Sequence, residues 1–584
     1  MNFEEWNLNN DDKVYLIILF IVLFLSTSRM LVQSLVGCIS NPDIAIYLLT
    51  ALKYAGLDSF NLVIPDEIYY TPIISFLSSI FFRMGYVDKN AIIIVTTVIN
   101  FIGYFGLYIL LRNRFNSLLS FTGVLIYGSL PLIIVNSARG MIDLSFISIS
   151  IWVLVFAIRA IDKNPKYFLI VLSLLVIGFF TKYTVGFMLP LIVLYYVINR
   201  NVVDLFDCFM SDRKLFKQKV KNYFSSKEFK YIIISVIVGI CLFVIISKTL
   251  ILDFGGYLTF FQQSSNTFNG NIYSSEAIDF NMDKSYYLDH FSQILYQSHK
   301  FSFILSGLLI VILALGAIIK IGYCFRNIAL YKAKETQFKT KHLNKILFST
   351  STILIIVAFL LFKVFSNHLL SNICLLVSFT LLFSILQKYN VNDKKLGLDV
   401  LFLAYFLISF IFISSYAIKV PRYALIFIPP LIYFVIWGLN AITNAIFNME
   451  NLNQDNYNYI VIIIVLIFLV FTCSFVVSPM EYDDSGDIYR DVFDWDFDND
   501  LIEVCNFIKE YDSDYHNKSF SSDYHHSRLY RWYLNVNMTV ADNNEFPIDY
   551  NQTDYILTTE NITLNNYVNV YHHGLFYVFY KDIC

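Results

Sequence analysis

Residues 167–199 read YFLIVLSLLVIGFFTKYTVGFMLPLIVLYYVIN. A bilayer crossing takes about 20 mainly apolar residues, so this run is too long for one, and Thr181-Lys182-Tyr183 interrupts it. It reads as two short helices meeting at a turn. That reading sets the parity of every later crossing, and so decides on which side the C-terminus falls.

Toward the N-terminus, Val14–Val36 reads as a first span. It follows an acidic start, Asn10-Asp-Asp-Lys13, and lacks a small-residue cleavage site, as a retained segment would. Further spans read at 91–111, 118–136, 145–161, 231–250, 300–319, 346–365, 369–386, 397–417, 424–446 and 459–478. With the divided 167–199 the total is thirteen. Composition agrees: the 584 residues are 57% hydrophobic and only 15% charged, with net charge −3 and mean hydropathy +0.59. An ordinary soluble protein is about 25% charged. A soluble multidomain enzyme, a disordered chain, a disulfide-rich secreted domain and a basic nucleic-acid binder are excluded. The aromatic bias (56 Phe, 42 Tyr) carries no functional weight.

Basic residues give the orientation. With the N-terminus cytoplasmic, the loops 112–117, 158–166, 199–230, 320–346, 387–396 and 447–458 hold 23 Lys and Arg, although the last holds none. The opposite loops 38–90, 137–144, 181–183, 251–300, 366–369 and 418–423 hold 9. Thirteen spans place residues 479–584 outside a plasma membrane. Every N-x-S/T sequon lies in that tail, at Asn517, Asn537, Asn551 and Asn561, as expected of an exported surface.

The chain therefore divides into a membrane domain, 1–478, and an extracytoplasmic domain, 479–584. The tail opens acidic, with thirteen Asp and Glu in 480–515 against Arg490 and Lys509, a solvated linker face. A helical pattern at 500–511 precedes strand-like runs at 518–522, 536–541, 554–559 and 567–580, making a small α/β domain. The fold class is an all-α polytopic membrane protein with that domain appended. Among scattered cysteines no Cys/His cluster suggests a metal site, and Cys505 and Cys584, which share the tail, could pair.

Two outer loops are long. The first, 38–90, contains amphipathic stretches at about 43–56 and 67–84, suited to lie at the interface. The second, 251–299, is polar and opens with Gly255-Gly256, reading as a mobile flap. On the inner side 199–230 is basic and amphipathic, an interfacial helix on anionic lipid.

Ionisable residues at membrane depth are costly and so are functional candidates. Four converge on the outer surface: Asp43 just after the first span, Asp143 in the loop Ala138-Arg-Gly-Met-Ile-Asp143, Lys182 between the two short helices, and Arg422 in Lys419-Val-Pro-Arg-Tyr423. Each has a structural alternative: Asp43 as a helix cap, Asp143 as partner of a helix dipole, Lys182 as a snorkelling base, Arg422 as an interfacial anchor. Two acids and two bases on one face suggest chemistry on an anionic, lipid-borne group.

In these residues, with Tyr70-Thr-Pro-Ile-Ile74, Thr181-Lys-Tyr183 and Pro421-Arg-Tyr423 in order, the chain resembles the glycosyltransferase C-type (GT-C) membrane enzymes of family 39. That family includes protein O-mannosyltransferases, which use dolichyl phosphate mannose, and the lipid A aminoarabinose transferase. The resemblance implies an enzyme that passes a sugar from a polyprenyl-phosphate carrier to a protein, lipid or glycan acceptor on the outer side. It implies Asp43 and Asp143 as catalytic acids, and Lys182 and Arg422 near the carrier phosphate. Glu67 matches an acid before the Pro segment of the first loop, and Tyr183 and Tyr423 adjoin the two bases. Ile44 stands where the family often has a second acid, and Tyr70-Thr71-Pro72 where it often has Lys-Pro-Pro. These departures touch the acceptor class and the use of a divalent cation. Two other readings remain. An oligosaccharyltransferase-like subunit would carry Trp-Trp-Asp in the tail, where this chain has Asp494-Trp-Asp-Phe497. A transporter or flippase of lipid-linked sugars would show paired repeats, and 167–199 has no counterpart in the second half.

Overall fold

The computed structural model describes residues 8–37, 39, 41–57, 72–200, 213–250, 283–296, 302–332, 338–365, 367–389, 395–416, 419–450, 459, 461–464, 466–467, 495–523, 526–541, 553–559, 561, 563–564 and 566–581. In chain order the helices are α1 (Asn10–Val36), α2 (Pro42–Ala55), α3 (Pro72–Arg83), α4 (Asn90–Arg112), α5 (Ser117–Ser129), α6 (Pro131–Ala138), α7 (Ile142–Asp162), α8 (Phe168–Phe179), α9 (Met188–Asn199), α10 (Arg213–Phe224) and α11 (Lys227–Leu250). There follow α12 (Tyr286–Asp289), α13 (Phe291–Tyr296), α14 (Ser302–Lys332), α15 (Phe338–Lys363), α16 (His368–Tyr389), α17 (Leu396–Ser414), α18 (Ile428–Glu450), α19 (Trp495–Tyr511) and α20 (Ser527–Leu534).

Seven described helices have the length and hydropathy to cross a bilayer, and the pair α5–α6 makes an eighth. Shorter apolar helices stand at 165–179, 183–199, 347–363 and 368–384. Helices thus occupy the first twelve of the thirteen expected positions, and the thirteenth, 459–478, lies largely outside the described residues. The run 167–199 breaks as its sequence suggests, into α8, a 3-10 turn at Tyr183–Phe187, and α9.

The expected span 118–136 is not straight. α5 and α6 meet at 70°, because Pro131 forces Leu130 into an extended conformation (φ −67°, ψ 126°) and cannot continue the hydrogen-bond ladder. Behind this break lies α7, buried over most of its length, and α4 and α8 pack beside it. α1, α11 and α14 are peripheral and turn most of their apolar surface outward, where lipid would cover it. α14 and α18 approach so closely that a Cβ on Gly316 would strike the backbone of Gly438. Small residues permit such contacts between membrane helices.

In the tail, β1 (Phe520–Asp523), β2 (Met538–Ala541), β3 (Tyr555–Thr558), β4 (Tyr567–His573) and β5 (Phe576–Lys581) form one sheet ordered β2-β1-β3-β5-β4. β1 runs parallel to both neighbours, while β3–β5 and β4–β5 are antiparallel. The run 567–580, which reads as one strand, is a hairpin folded at Gly574-Leu575. Gly574 takes φ +56°, the left-handed conformation a two-residue turn needs at its first position. Helix α20 was not expected; its Tyr and Trp residues suit a strand equally well. α19 covers β4, stacking Phe507 on Tyr571 at 4.1 Å. Cys505 is a buried free thiol, and Cys584 lies outside the described residues.

Two loop expectations change. Asp143 lies in the first turn of α7, because the left-handed Gly140 (φ +85°) completes the turn and the helix starts at Ile142. Of the expected flap, 251–282 lies outside the described residues, but 283–296 is packed: Tyr287, Ile294 and Leu295 are fully buried. Tyr287 donates to the carbonyl of Val420 at 3.2 Å, and Lys284 donates to those of Phe362 and Lys363.

Candidate active site

Asp43 owes its place to the start of α2. The Asn41 side chain accepts from the Asp43 backbone N–H at 2.9 Å, so Asn41, and not the Asp43 carboxylate, caps the helix. α2 buries Ile44, Ala45, Tyr47 and Leu48 in a cluster shared with Met141 and Ile142 on one side and Leu529, Tyr530 and Leu534 of the tail on the other. A Cβ on Gly140 would press Ile92 and Ile93 at 3.3 Å and meet Ile44 at 3.8 Å. This close fit sets the start of α7, and with it Asp143, against the start of α2.

Lys182 is held by backbone bonds. Its N–H donates to Gly178 at 2.8 Å, its carbonyl accepts from Val185 at 3.0 Å, and the neighbouring Phe180 carbonyl accepts from Ile73 at 3.2 Å. The last bond ties the turn to α3. Arg422 opens a 3-10 segment, Pro421–Phe427, that leads into α18.

These four residues form one chain of charge. Lys182 Nζ donates to Asp143 Oδ1 at 2.5 Å, and Arg422 Nη2 donates to Asp43 Oδ2 at 2.9 Å. The Arg422 guanidinium is attracted to both carboxylates and so joins the pairs. Asp143 is 1% exposed. The Lys182 ammonium sits 5.2 Å from the rings of both Phe146 and Tyr423, an aromatic lining that favours a cation. Tyr423 also lies 5.9 Å from the Arg422 guanidinium carbon, and Tyr416 packs edge-on against Tyr423 at 5.6 Å. Tyr183 interacts with Tyr416 on the same wall.

A fifth member comes from the tail. Arg528 of α20, 7% exposed, places Nη1 4.0 Å from Asp43 Oδ1. Nothing in its local sequence marks it, since one arginine in a polar tail has no distinguishing pattern. Only the docking of α20 on α2 brings it here. In order, the charges are Lys182, Asp143, Arg422, Asp43 and Arg528, alternating in sign with one positive charge in surplus. Arg422 Nε is buried and has no hydrogen-bond partner among the described residues. A buried donor without an acceptor is costly, and an anion entering this chain would meet it.

Glu67 lies outside the described residues. No group of three or more His, Cys, Asp and Glu side chains among the described residues could hold a metal ion. A cation shared by Asp43 and Asp143 would also have to face the Arg422 guanidinium. Of the sequon asparagines, Asn517, Asn537 and Asn561 are exposed, and Asn551 is outside the described residues.

Residues 70–206 match the family model described as dolichyl-phosphate-mannose-protein mannosyltransferase. That segment contains Asp143 and Lys182 but neither Asp43 nor Arg422. Among solved structures, apo ArnT from Cupriavidus metallidurans matches with TM-score 0.51 and 9% identity, over 98% of this chain and 97% of that one. The same protein bound to undecaprenyl phosphate matches with TM-score 0.50 and 10% identity over the same shares. The oligosaccharyltransferase of Archaeoglobus fulgidus in its apo form gives 0.47 and 10%, over 93% of this chain and 69% of that one. No curated protein matches the sequence. The fold expected from the resemblance is borne out: over nearly the whole chain it is the fold of ArnT.

Proposed function

We propose that this protein transfers a sugar from a polyprenyl-phosphate carrier to an acceptor hydroxyl, or another nucleophile, at the face that carries the C-terminal domain. The observation that supports this most is the alternating charge chain at that face, with its surplus positive charge and the buried, unpartnered Arg422 Nε. The fold is that of ArnT, which has been crystallised with undecaprenyl phosphate bound. Residues 70–206 carry the mannosyltransferase family match.

In this reading Asp43 takes the proton of the acceptor hydroxyl as its oxygen attacks C1 of the sugar. The bond from C1 to the carrier oxygen breaks, and its electron pair leaves with the polyprenyl phosphate. Lys182 and Arg422 offset the charge that grows on this leaving group. Asp143 is sealed behind Lys182 and holds that ammonium in place, so its role is positioning. The carrier phosphate would compete with Asp143 for Lys182 and would satisfy Arg422 Nε. The lipid chain would lie along the membrane helices, and the acceptor would enter from the side of α2, α3 and the tail.

The test is to incubate purified protein in lipid with a panel of radiolabelled polyprenyl-phosphate sugars and candidate acceptors. Wild-type protein is expected to release free polyprenyl phosphate and label one acceptor. Asp43→Asn is expected to lower the turnover number by about 10²–10⁴-fold, the range of general-base catalysis, while the protein stays folded with a modestly lowered melting temperature, because Arg422 and Arg528 lose a partner. Near-normal turnover in that variant removes Asp43 from the role of base. Failure of the wild type with every donor removes the proposal.

A further inference from the structure

The C-terminal domain docks on the membrane domain through α20. Leu529, Tyr530 and Leu534 share a core cluster with Ala45, Leu48 and Ala51 of α2 and with Phe82 of α3. Trp532 stacks on Phe82, with ring centroids 6.2 Å apart, and the Ile39 N–H donates to the Tyr533 hydroxyl at 3.0 Å. These docking contacts are apolar or neutral. Beside them stands the ion pair from Arg528 to Asp43, which ends on the carboxylate given the central role above.

The topology points the same way. β1 lies between β2 and β3 and runs parallel to both, so the chain leaves its carboxyl end on one side through α20 to β2 and later crosses to β3 on the other. In open parallel sheets the crevice at such a reversal of strand order is where ligands bind. Here Asp523 ends β1, His526 Nδ1 contacts the Asp523 carboxylate at 2.8 Å, and Arg528 lies in the first turn of α20. The ligand-facing end of the small domain is thus turned toward Asp43.

We infer that Arg528 is a positioning residue for the transfer reaction, so that the C-terminal domain completes the active site. The inference rests on the reading of Asp43 as the base. Arg422 donates to Oδ2 at 2.9 Å and the Arg528 guanidinium lies 4.0 Å from Oδ1, so positive groups from two separate elements flank the carboxylate. A general base must lie within hydrogen-bond reach of its proton in a defined geometry. Misplacement by about 1 Å can cost about 10²-fold in rate. Losing Arg528 is therefore expected to lower the turnover number and to leave the binding of the carrier unchanged, since Lys182 and Arg422 stay in place.

The experiment measures kcat and the KM for the labelled donor in the full-length protein in lipid, for the wild type, Asp43→Asn, Arg528→Lys, Arg528→Gln and Arg528→Ala. Expected is a fall in kcat of about 10–100-fold for Arg528→Gln, with donor KM within about twofold, smaller loss for Arg528→Lys, and partial recovery of Arg528→Ala on adding millimolar guanidinium. Melting temperatures and protection of α20 from proteolysis report whether the domain remains docked. If Arg528→Gln turns over at the wild-type rate while Asp43→Asn is inactive, the inference falls and the proposed function stands. An equal loss in all three Arg528 variants, with undocking and no rescue by guanidinium, assigns Arg528 to stability and also overturns the inference. If the wild type uses no donor, the failure belongs to the proposed function itself.

Discussion

Asp12 and Asp399 sit at one end of the helical bundle, Asp43 and Asp143 at the other, and all four face arginine or lysine. Asp12 is fully buried, and it accepts from the Tyr108 hydroxyl at 2.5 Å, Arg112 Nε at 2.8 Å, Arg112 Nη2 at 3.3 Å and the Asn9 N–H at 2.8 Å. Asp399 accepts from Arg114 Nε and Nη2 at 3.1 and 2.9 Å and from the Tyr433 hydroxyl at 2.5 Å. A carboxylate has about four acceptor sites, so these two are nearly saturated. They fasten α1 to α4, and join the α4–α5 loop to α17 and α18. At the other end, ion pairs link charges from separate segments, Arg528 approaches Asp43 only to 4.0 Å, and Arg422 Nε has no acceptor among the described residues. Saturation marks a clamp, and an open donor beside a carboxylate marks a place for a ligand.

The sharpest way to break this comparison is to remove one charge from each end. Lys182→Met is expected to lower turnover with a polyprenyl-phosphate donor by about 10²–10³-fold, the usual loss when one stabilising donor to a developing charge is removed. Its melting temperature should fall modestly, because Asp143 loses its partner. A donor-concentration series that shows undiminished turnover would place Lys182 among the clamps. Asp12→Asn should do the opposite. Breaking a buried charge pair costs about 3–5 kcal/mol, so its thermal unfolding in detergent should shift down strongly. The turnover number of the molecules that remain folded should match the wild type. Lost turnover in well-folded Asp12→Asn protein would show that saturation does not separate the two kinds of cluster.

The comparison also shows where sequence reasoning reaches and where it stops. Helix positions were legible because a bilayer imposes a length and an apolar composition on every crossing. The break in 167–199 was legible because Lys182 interrupts it, whereas the bend at Pro131 was hidden inside an otherwise apolar run. Asp43, Asp143, Lys182 and Arg422 stood out as charges at loop tips on one face, and the structure brings all four together. Their pairing was not legible, since 39 residues separate Lys182 from Asp143 and 379 separate Arg422 from Asp43. Arg528 was beyond reach for the same reason at greater distance: its place depends on docking between domains. Asp12 and Asp399 passed unnoticed as ordinary charges near span ends, although they are buried or nearly so.

Lys419 lies three residues from Arg422 and tests whether a base on the site's own face can be a clamp. Its Nζ donates to the carbonyls of Ser414 at 2.7 Å and Tyr416 at 2.6 Å, and reaches that of Ile413 at 3.4 Å, closing the end of α17. Burial pushes its pKa down to about 8; the nearby Asp283 carboxylate opposes that shift and Lys284 adds to it. The unfolded chain holds this proton up to the ordinary lysine value of 10.5. Between about pH 8 and 10.5 the unfolded state therefore binds more protons than the folded state, and stability rises with pH across that window. Below pH 8 both states are protonated and the slope vanishes. Lys419→Met lacks this contribution, so the stability of the wild type relative to the variant should grow by about 2 kcal/mol from pH 8 to 10.5, at 1.36 kcal/mol for each pKa unit less a discount for partial exposure. Melting curves of both proteins at pH 7.5, 9 and 10 read this difference. Parallel curves at all three would mean that the Lys419 ammonium is not held against burial, and that its carbonyl partners do not set it apart from Lys182.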